Sequence, residues 1–317
     1  MDTRSHRTRI GVALFGNGRR ASRTRPPALA LLLLALGLEF GLPVLAPGVA
    51  APARAAERQD LAYTVYFGPL PALDVTTAIE AGATGVQPPG TRSSPYRVEA
   101  SVVPEAWIAW ALPWQAHSEA TGRTGADGTI HPENYLASAQ WGVRTRKTTL
   151  TYTGGALHIT LDPPGDNEGR EPVPPELTTG SLDPVSAVLA LLTTAADGHG
   201  CSPSLPVFDG RRRFDLAAET LTDEMMPASR YGVYAGPVTV CRLHFRSLAG
   251  GWRDGERARF WQTDQPGTER PPIDLWLARL HPEAPPVPVY VTGGSTLGWV
   301  TVYLSSYSFA PSPPPGP

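Results

Sequence analysis

The chain has 317 residues, with 27 Lys+Arg, 29 Asp+Glu, 35 prolines and two cysteines. From Glu57 onward the balance is 19 basic to 27 acidic residues, a net of −8, which excludes the clustered cations that a nucleic-acid phosphate backbone demands. Two cysteines without a CxxC or a paired-histidine spacing exclude a local zinc motif, and the sequence gives no reason to expect a metal or any other cofactor.

Residues 1–26 are basic, carrying Arg4, Arg7, Arg9, Arg19, Arg20, Arg23 and Arg25. An apolar run from Ala28 to Leu38 follows, and small residues then lead to Ala53-Arg54-Ala55-Ala56. This order reads as a secretory signal peptide over 1–56, with cleavage near Ala55 or Ala56 and with Ala50 or Ala51 as alternatives. An uncleaved inner-membrane anchor is the competing reading, but a span needs roughly 20 apolar residues, and here Glu39 breaks the run and Pro43 follows. Neither cysteine lies near the cleavage point, so this is not a lipoprotein signal. Ala21-Ser22 after Arg19-Arg20 argue for a chance pair over a twin-arginine signal. The expectation is a secreted, periplasmic protein with no stable membrane span once the signal is removed.

Tyr63–Phe67 has the composition and alternation of a strand, and Ala72–Ile79 reads as its hairpin partner across Gly68-Pro69. Residues 82–95 are rich in Gly, Pro, Ser and Thr and read as a loop; Tyr96–Val102 alternates again as a third strand. Pro104–Leu112 fits a helix or a strand. Strands are predicted over Leu136–Gln140, Arg146–Tyr152 and Ala156–Leu161, the last two joined at Gly154-Gly155. Residues 162–177 form a polar, proline-rich loop.

Leu182–Thr194 is the one clear helix. Asp183 is its N-cap, Pro184 suits the first turn, and Val185, Val188, Leu189 and Leu192 recur at helical spacing. Gly198 and Gly200 end it. Strands are then predicted over 207–217, 231–247, 257–263, 273–280, 288–292 and 297–309, and the proline-rich tail 311–317 cannot pack a core. The pattern predicts a single mainly β domain over 57–310: ten to twelve strands in a curved antiparallel sheet or open half-barrel, with one packed helix.

In an exported protein Cys201 and Cys241 read as a disulfide closing a long loop. Asp209, Gly210, Arg211 and Arg212 fit either an anion site or a turn in which Asp-Gly redirects the chain; the turn is favoured. No Gly-x-Ser-x-Gly or Ser-x-x-Lys occurs, and Ser186 has no identifiable base, so no catalytic residue is assigned. His131, before Pro132, reads as a turn residue, and His199 as part of the loop after the helix. Trp107, Trp110, Trp114, Trp141, Trp252, Trp261, Trp276 and Trp299 either fill an ordinary core or line the concave face of the sheet as an apolar pocket.

The order of short motifs resembles a known family. After the signal come Tyr63-x-Val65-Tyr66-Phe67-Gly68, then Gly128-Thr129-Ile130-His131-Pro132-Glu133-Asn134-Tyr135 and Asp183-Pro184-Val185-Ser186. Val207-Phe208-Asp209-Gly210-Arg211-Arg212, Gly251-Trp252 and Thr296-Leu297-Gly298 follow. The whole resembles the bacterial family called domain of unknown function 3108. That resemblance implies a periplasmic β-rich protein, similar in outline to the half-barrel lipoprotein carriers, and implies no activity. Two functions stay open: a module that binds an apolar ligand or an envelope protein's segment, and a structural or interaction protein with a filled core. An unrecognised hydrolase ranks below both.

Overall fold

The computed structural model describes residues 57–81, 93–164, 169–196, 198, 200–253, 265–282, 284–295 and 298–311. The signal segment, most of the 82–95 loop, His199, Trp261, the strand expected at 257–263 and residues 312–317 lie outside them. All described residues belong to one compact unit, Pro52–Pro317.

That unit is mainly β. Seven strands come first: β1 Glu57–Phe67, β2 Leu70–Ala81, β3 Ser94–Pro104, β4 Trp114–Thr124, β5 Ile130–Trp141, β6 Arg144–Thr153 and β7 Ala156–Asp162. Helix α1, Pro184–Ala196, follows. Then come β8 Ser204–Phe208, β9 Arg213–Met226, β10 Gly236–Ala249, β11 Ile273–Ala278, β12 Val287–Ser295 and β13 Gly298–Pro311. All thirteen strands form one antiparallel sheet in the order β7-β6-β5-β4-β3-β2-β1-β13-β12-β11-β10-β9-β8. Every neighbour but one is a sequence neighbour, as short hairpins dictate; the exception, β1 with β13, joins the two halves.

A flat sheet of thirteen strands would hold β7 and β8 about 58 Å apart at the usual strand spacing. Instead the β8–β9 turn touches the other margin: Arg211 donates to the carbonyls of Lys147 in β6 (3.2 Å) and Pro163 just after β7 (3.4 Å). The sheet therefore curls until its margins meet at one end, which makes it an open barrel. The free edge of β8 is covered by Leu182, whose N–H and C=O exchange bonds with Pro206 and Phe208 (both 2.8 Å). The same segment delivers α1, which packs against β4, β5 and β8. Buried side chains from both halves meet around it, including Leu61, Tyr96, Leu150, Val207, Leu243 and Leu304.

Several elements differ from the sequence reading. Residues 105–112 form neither strand nor an extended helix but a run of turns, with N–H groups of Ala109 and Leu112 bonded to Glu105 and Ile108. β4 was not predicted at all, and β5 begins at Ile130, so His131 lies in a strand opposite Arg123. The expected strand 207–217 is two strands, β8 and β9, because Asp209–Arg212 reverses the chain between them. Residues 231–235 precede β10 without joining it, and Pro311 still belongs to β13.

Candidate functional site

The concave side of the sheet is not completely filled. An apolar groove of about 380 Å³ lies between α1 and strands β1, β2, β3, β12 and β13. From the sheet it is lined by inward-facing residues at period two, such as Val75, Thr77 and Ile79 on β2 and Val98 and Ala100 on β3. From the helix it is lined by Val185, Val188, Leu189 and Leu192, the stripe whose spacing identified the helix. Such a stripe normally vanishes into a core, yet Val188 is 45% exposed, which leaves the groove open along that side. Its volume falls in the lower part of the range of small-molecule sites, roughly 300–1,000 Å³. A second hollow of about 260 Å³ adjoins it through Ala100 and runs over β3–β6, floored by Val102, Ala116, Ala137 and Ala139, with Arg146 at its margin.

The helix start is tied to the wall of this groove by polar bonds. Asp183, fully buried, accepts the N–H groups of Val185 (3.0 Å) and Ser186 (2.9 Å), the bonds an N-cap makes. The Ser186 hydroxyl donates to the other carboxylate oxygen at 2.5 Å. Having spent its single proton there, Ser186 Oγ accepts from the Tyr96 phenol at 2.7 Å. Tyr96 lies two residues before Val98 on the same face of β3. Burial pushes the Asp183 carboxyl above the ordinary range, against the pull of its hydrogen bonds. Burial likewise raises the phenols of Tyr96, Tyr135 and Tyr152, and the nearby Asp183 carboxylate adds to it in all three. Ser186 is fully buried, and the array latches the start of the helix to β3 at the side of the groove.

Asp209 organises the β8–β9 turn. Its Oδ1 accepts the N–H groups of Arg211 (2.9 Å) and Arg212 (2.6 Å), and its Oδ2 takes both Arg212 Nε (2.8 Å) and the terminal amine (2.7 Å). Gly210 sits at φ +91°, where a Cβ would also strike Thr148 of β6. Arg211 binds the Thr148 hydroxyl as well as the two carbonyls named above. Both guanidinium groups thus face the protein's own acceptors, the arrangement of a turn. Cys201 and Cys241 are disulfide-bonded with Cα atoms 5.7 Å apart, fastening the chain just after α1 to the middle of β10.

Among the described residues no tryptophan lines the groove, and only Trp276 packs against the core. Trp276 bonds Glu224 (2.6 Å) and packs on Tyr290, and the Arg170 guanidinium lies 3.7 Å above the Trp252 ring. Trp107, Trp110, Trp141 and Trp299 are exposed. The groove is mainly aliphatic, with Tyr63 its one aromatic side chain, and the residue signal that could have found it was the helix stripe, not the tryptophans. Among the described residues no helix is long and apolar enough to cross a membrane, and no group of three or more His, Cys, Asp and Glu side chains is placed to hold a metal.

Comparison with known proteins places a family over this framework. The family described as Protein of unknown function (DUF3108) matches residues 62–277. No curated protein matches the chain. Among solved structures, a β-barrel-like protein of domain of unknown function DUF1849 from Brucella abortus is 10% identical, with 82% of this chain and 100% of that chain covered at a TM-score of 0.41. A putative outer membrane lipoprotein-sorting protein domain from Vibrio parahaemolyticus is 9% identical, with 80% and 85% covered at a TM-score of 0.19. Likenesses this distant say nothing about what the chain binds.

Proposed function

The chain belongs to the DUF3108 family, and we propose that it is an exported binding module of the cell envelope that holds an apolar ligand in the groove between α1 and the sheet. One observation carries this reading: the groove of about 380 Å³ stays open beside the helix, where Val188 of the stripe is 45% exposed although Leu189 and Leu192 of the same stripe are buried. Leaving apolar surface unfilled forfeits roughly 25 cal/mol for each Å² that burial could have removed from water. A ligand recovers that free energy. Export to the periplasm is supported by the signal-like segment 1–56 and by the disulfide, which persists in an oxidising compartment.

The test is to express the protein in an oxidising periplasm and compare native and denatured mass spectra, then to titrate the delipidated protein with a fluorescent fatty-acid probe. An adduct lost on denaturation, or probe uptake that Val188→Trp abolishes by filling the groove, is the expected result. A clean mass together with no probe uptake overturns the reading and leaves a structural or interaction protein of the envelope.

A further inference from the structure

The hairpin register places six chain reversals at the same end of the sheet, the β8–β9 turn and the β10–β11 connection among them, and four of the six adjoin one another along the rim. The β1–β2 turn follows Phe67, the β3–β4 loop covers 105–113, the β5–β6 turn is Gly142-Val143, and the β12–β13 turn precedes Gly298. Each carries a large exposed apolar side chain: Leu70, then Trp107 and Trp110, then Trp141 and Val143, then Trp299. Trp110 is 84% exposed and Val143 wholly so. All four exposed tryptophans among the described residues are at this end. Single exposed hydrophobics are ordinary, but a row of them on consecutive tips is not. At the usual strand spacing the row follows about 34 Å of the barrel rim, from β12 to β6.

The tips are braced. The Trp107 indole donates to Pro71 at 2.8 Å, Trp110 donates to Trp107 at 3.0 Å, and Gly142 N–H bonds Pro113 at 2.8 Å. The apolar groups are therefore presented by a fixed frame. Beside Trp141 and Val143 the charge is positive: Arg144, Arg146 and Lys147 open β6, and no Asp or Glu occurs from Asn134 to Leu161, whereas the β3–β4 loop carries Glu105 as its one acidic residue. That is a local reversal in a chain that is net acidic from Glu57 onward.

We propose that this rim docks the protein on an anionic lipid surface, with the tips seated at the headgroup level. Indole rings favour the membrane–water interface, and adjacent Arg and Lys side chains add attraction to anionic headgroups. Separate tips following a curved rim suit insertion between headgroups, whereas a protein partner calls for a continuous, complementary patch. The cross-strand row Trp114–Trp141–Arg144 lies at this rim, and the next row inward, Val102–Ala116–Ala139–Arg146, lines the second hollow. The docked end is thus the end at which the concave face begins. Docking stands whether or not the groove holds a ligand.

The compact unit 52–317, which lacks the apolar run 28–38, is mixed with vesicles of phosphatidylcholine alone or with phosphatidylglycerol. Cosedimentation and tryptophan emission are recorded at low and high salt. The expected result is a blue-shifted emission and stronger binding to the anionic vesicles. Trp110→Ser with Val143→Asp should lower partitioning on both vesicles by about tenfold or more, and Trp299→Ser should lower it by less. Arg144→Glu should weaken only the anionic case and flatten its salt dependence. These side chains are exposed, so unchanged melting temperatures separate lost docking from lost fold. Wild-type protein that ignores both vesicles at low salt overturns the proposal, as does binding that the tip variants leave intact. Self-association without vesicle binding, if the tip variants abolish it, assigns the rim to a second copy and also overturns it.

Discussion

Asp183 and Asp209 do the same local job and are stabilised in opposite ways. Each accepts the backbone N–H groups two and three residues ahead, Val185 and Ser186 in one case and Arg211 and Arg212 in the other. They part at the third residue. Ser186 offers Asp183 a neutral hydroxyl, while Arg212 offers Asp209 a guanidinium. Burial is the strongest single influence on both carboxyls and pushes both upward. At Asp183 it prevails. At Asp209 the Arg212 charge and the hydrogen bonds from Arg211 and Arg212 together outweigh it, and the carboxyl ends below its ordinary range. Tyr135 responds to both: burial raises its phenol, and both carboxylates raise it further. The cap geometry follows from the Asp, and the ionisation follows from whatever the side chain three residues later supplies.

The largest expected effect calibrates the comparison from outside it. The helix is held at its start by Asp183 and just past its end by the disulfide, which spans a sequence separation of 40. Cys201→Ser with Cys241→Ser should lower stability by about 4 kcal/mol in the chain-entropy picture, with the fold retained. Thermal unfolding with and without reductant checks it, and an unchanged melting temperature would remove the disulfide from any account of stability.

Next comes Asp183→Ala. It deprives the Val185 and Ser186 N–H groups and the Ser186 hydroxyl of a fully buried acceptor, for a loss of about 3 kcal/mol. Asp209→Ala makes the same deletion at a site where Arg212 is already a third exposed and regains water, so about 2 kcal/mol is expected. Chemical denaturation of both variants orders them. If Asp209→Ala proves the more damaging, solvent access is not what separates the two sites. Arg211→Ala should follow at about 1 kcal/mol, because its bonds to Thr148, Lys147 and Pro163 join the two sheet margins but are partly open to solvent.

Legibility in the sequence follows a similar division between local and distant causes. Asp183, Pro184 and the apolar stripe declare the helix because cap and periodicity are local, and most of the first-half strands declare themselves by alternation. β4 does not, since its sequence WQAHSEATGRT is small and polar. The structure explains that silence: a Cβ on Gly122 would strike the His131 carbonyl oxygen and sit 2.7 Å from the Tyr96 hydroxyl, and fully buried Ala120 lies two residues before it on the same face. Gly122 is small because Tyr96, 26 places earlier in the chain, and the backbone of His131 on the neighbouring strand occupy the room. The far half of β9 is hidden for a different reason, as Glu219–Met225 is exposed on both faces and shows no alternation. The tryptophans mislead because apolar character suggests burial, and only the strand register shows that the four exposed ones stand at the rim. The groove itself was half legible: the stripe was visible, but what it faced depends on how far the sheet curls.

The smallest effect is the one that tests the comparison most directly, because it asks only for opposite signs. Asp209 has a depressed carboxyl, so its contribution is present above the ordinary aspartate value near pH 4 and is lost as pH falls through the folded value. Asp183 has a raised carboxyl, so its contribution is complete below that ordinary value and declines as pH rises through the folded one. Asparagine keeps an acceptor for the backbone N–H groups at either position and removes the titration. Asp209→Asn should therefore flatten the acid limb of the stability–pH curve. Asp183→Asn should flatten the decline on the rising-pH side, and its amide can donate to Ser186 Oγ in place of the hydroxyl's own bond. Melting temperatures of the two variants and the wild type across the acid-to-neutral range decide the point. Curves in which both variants flatten the same limb would mean that Ser186 and Arg212 are not what distinguishes the two carboxylates.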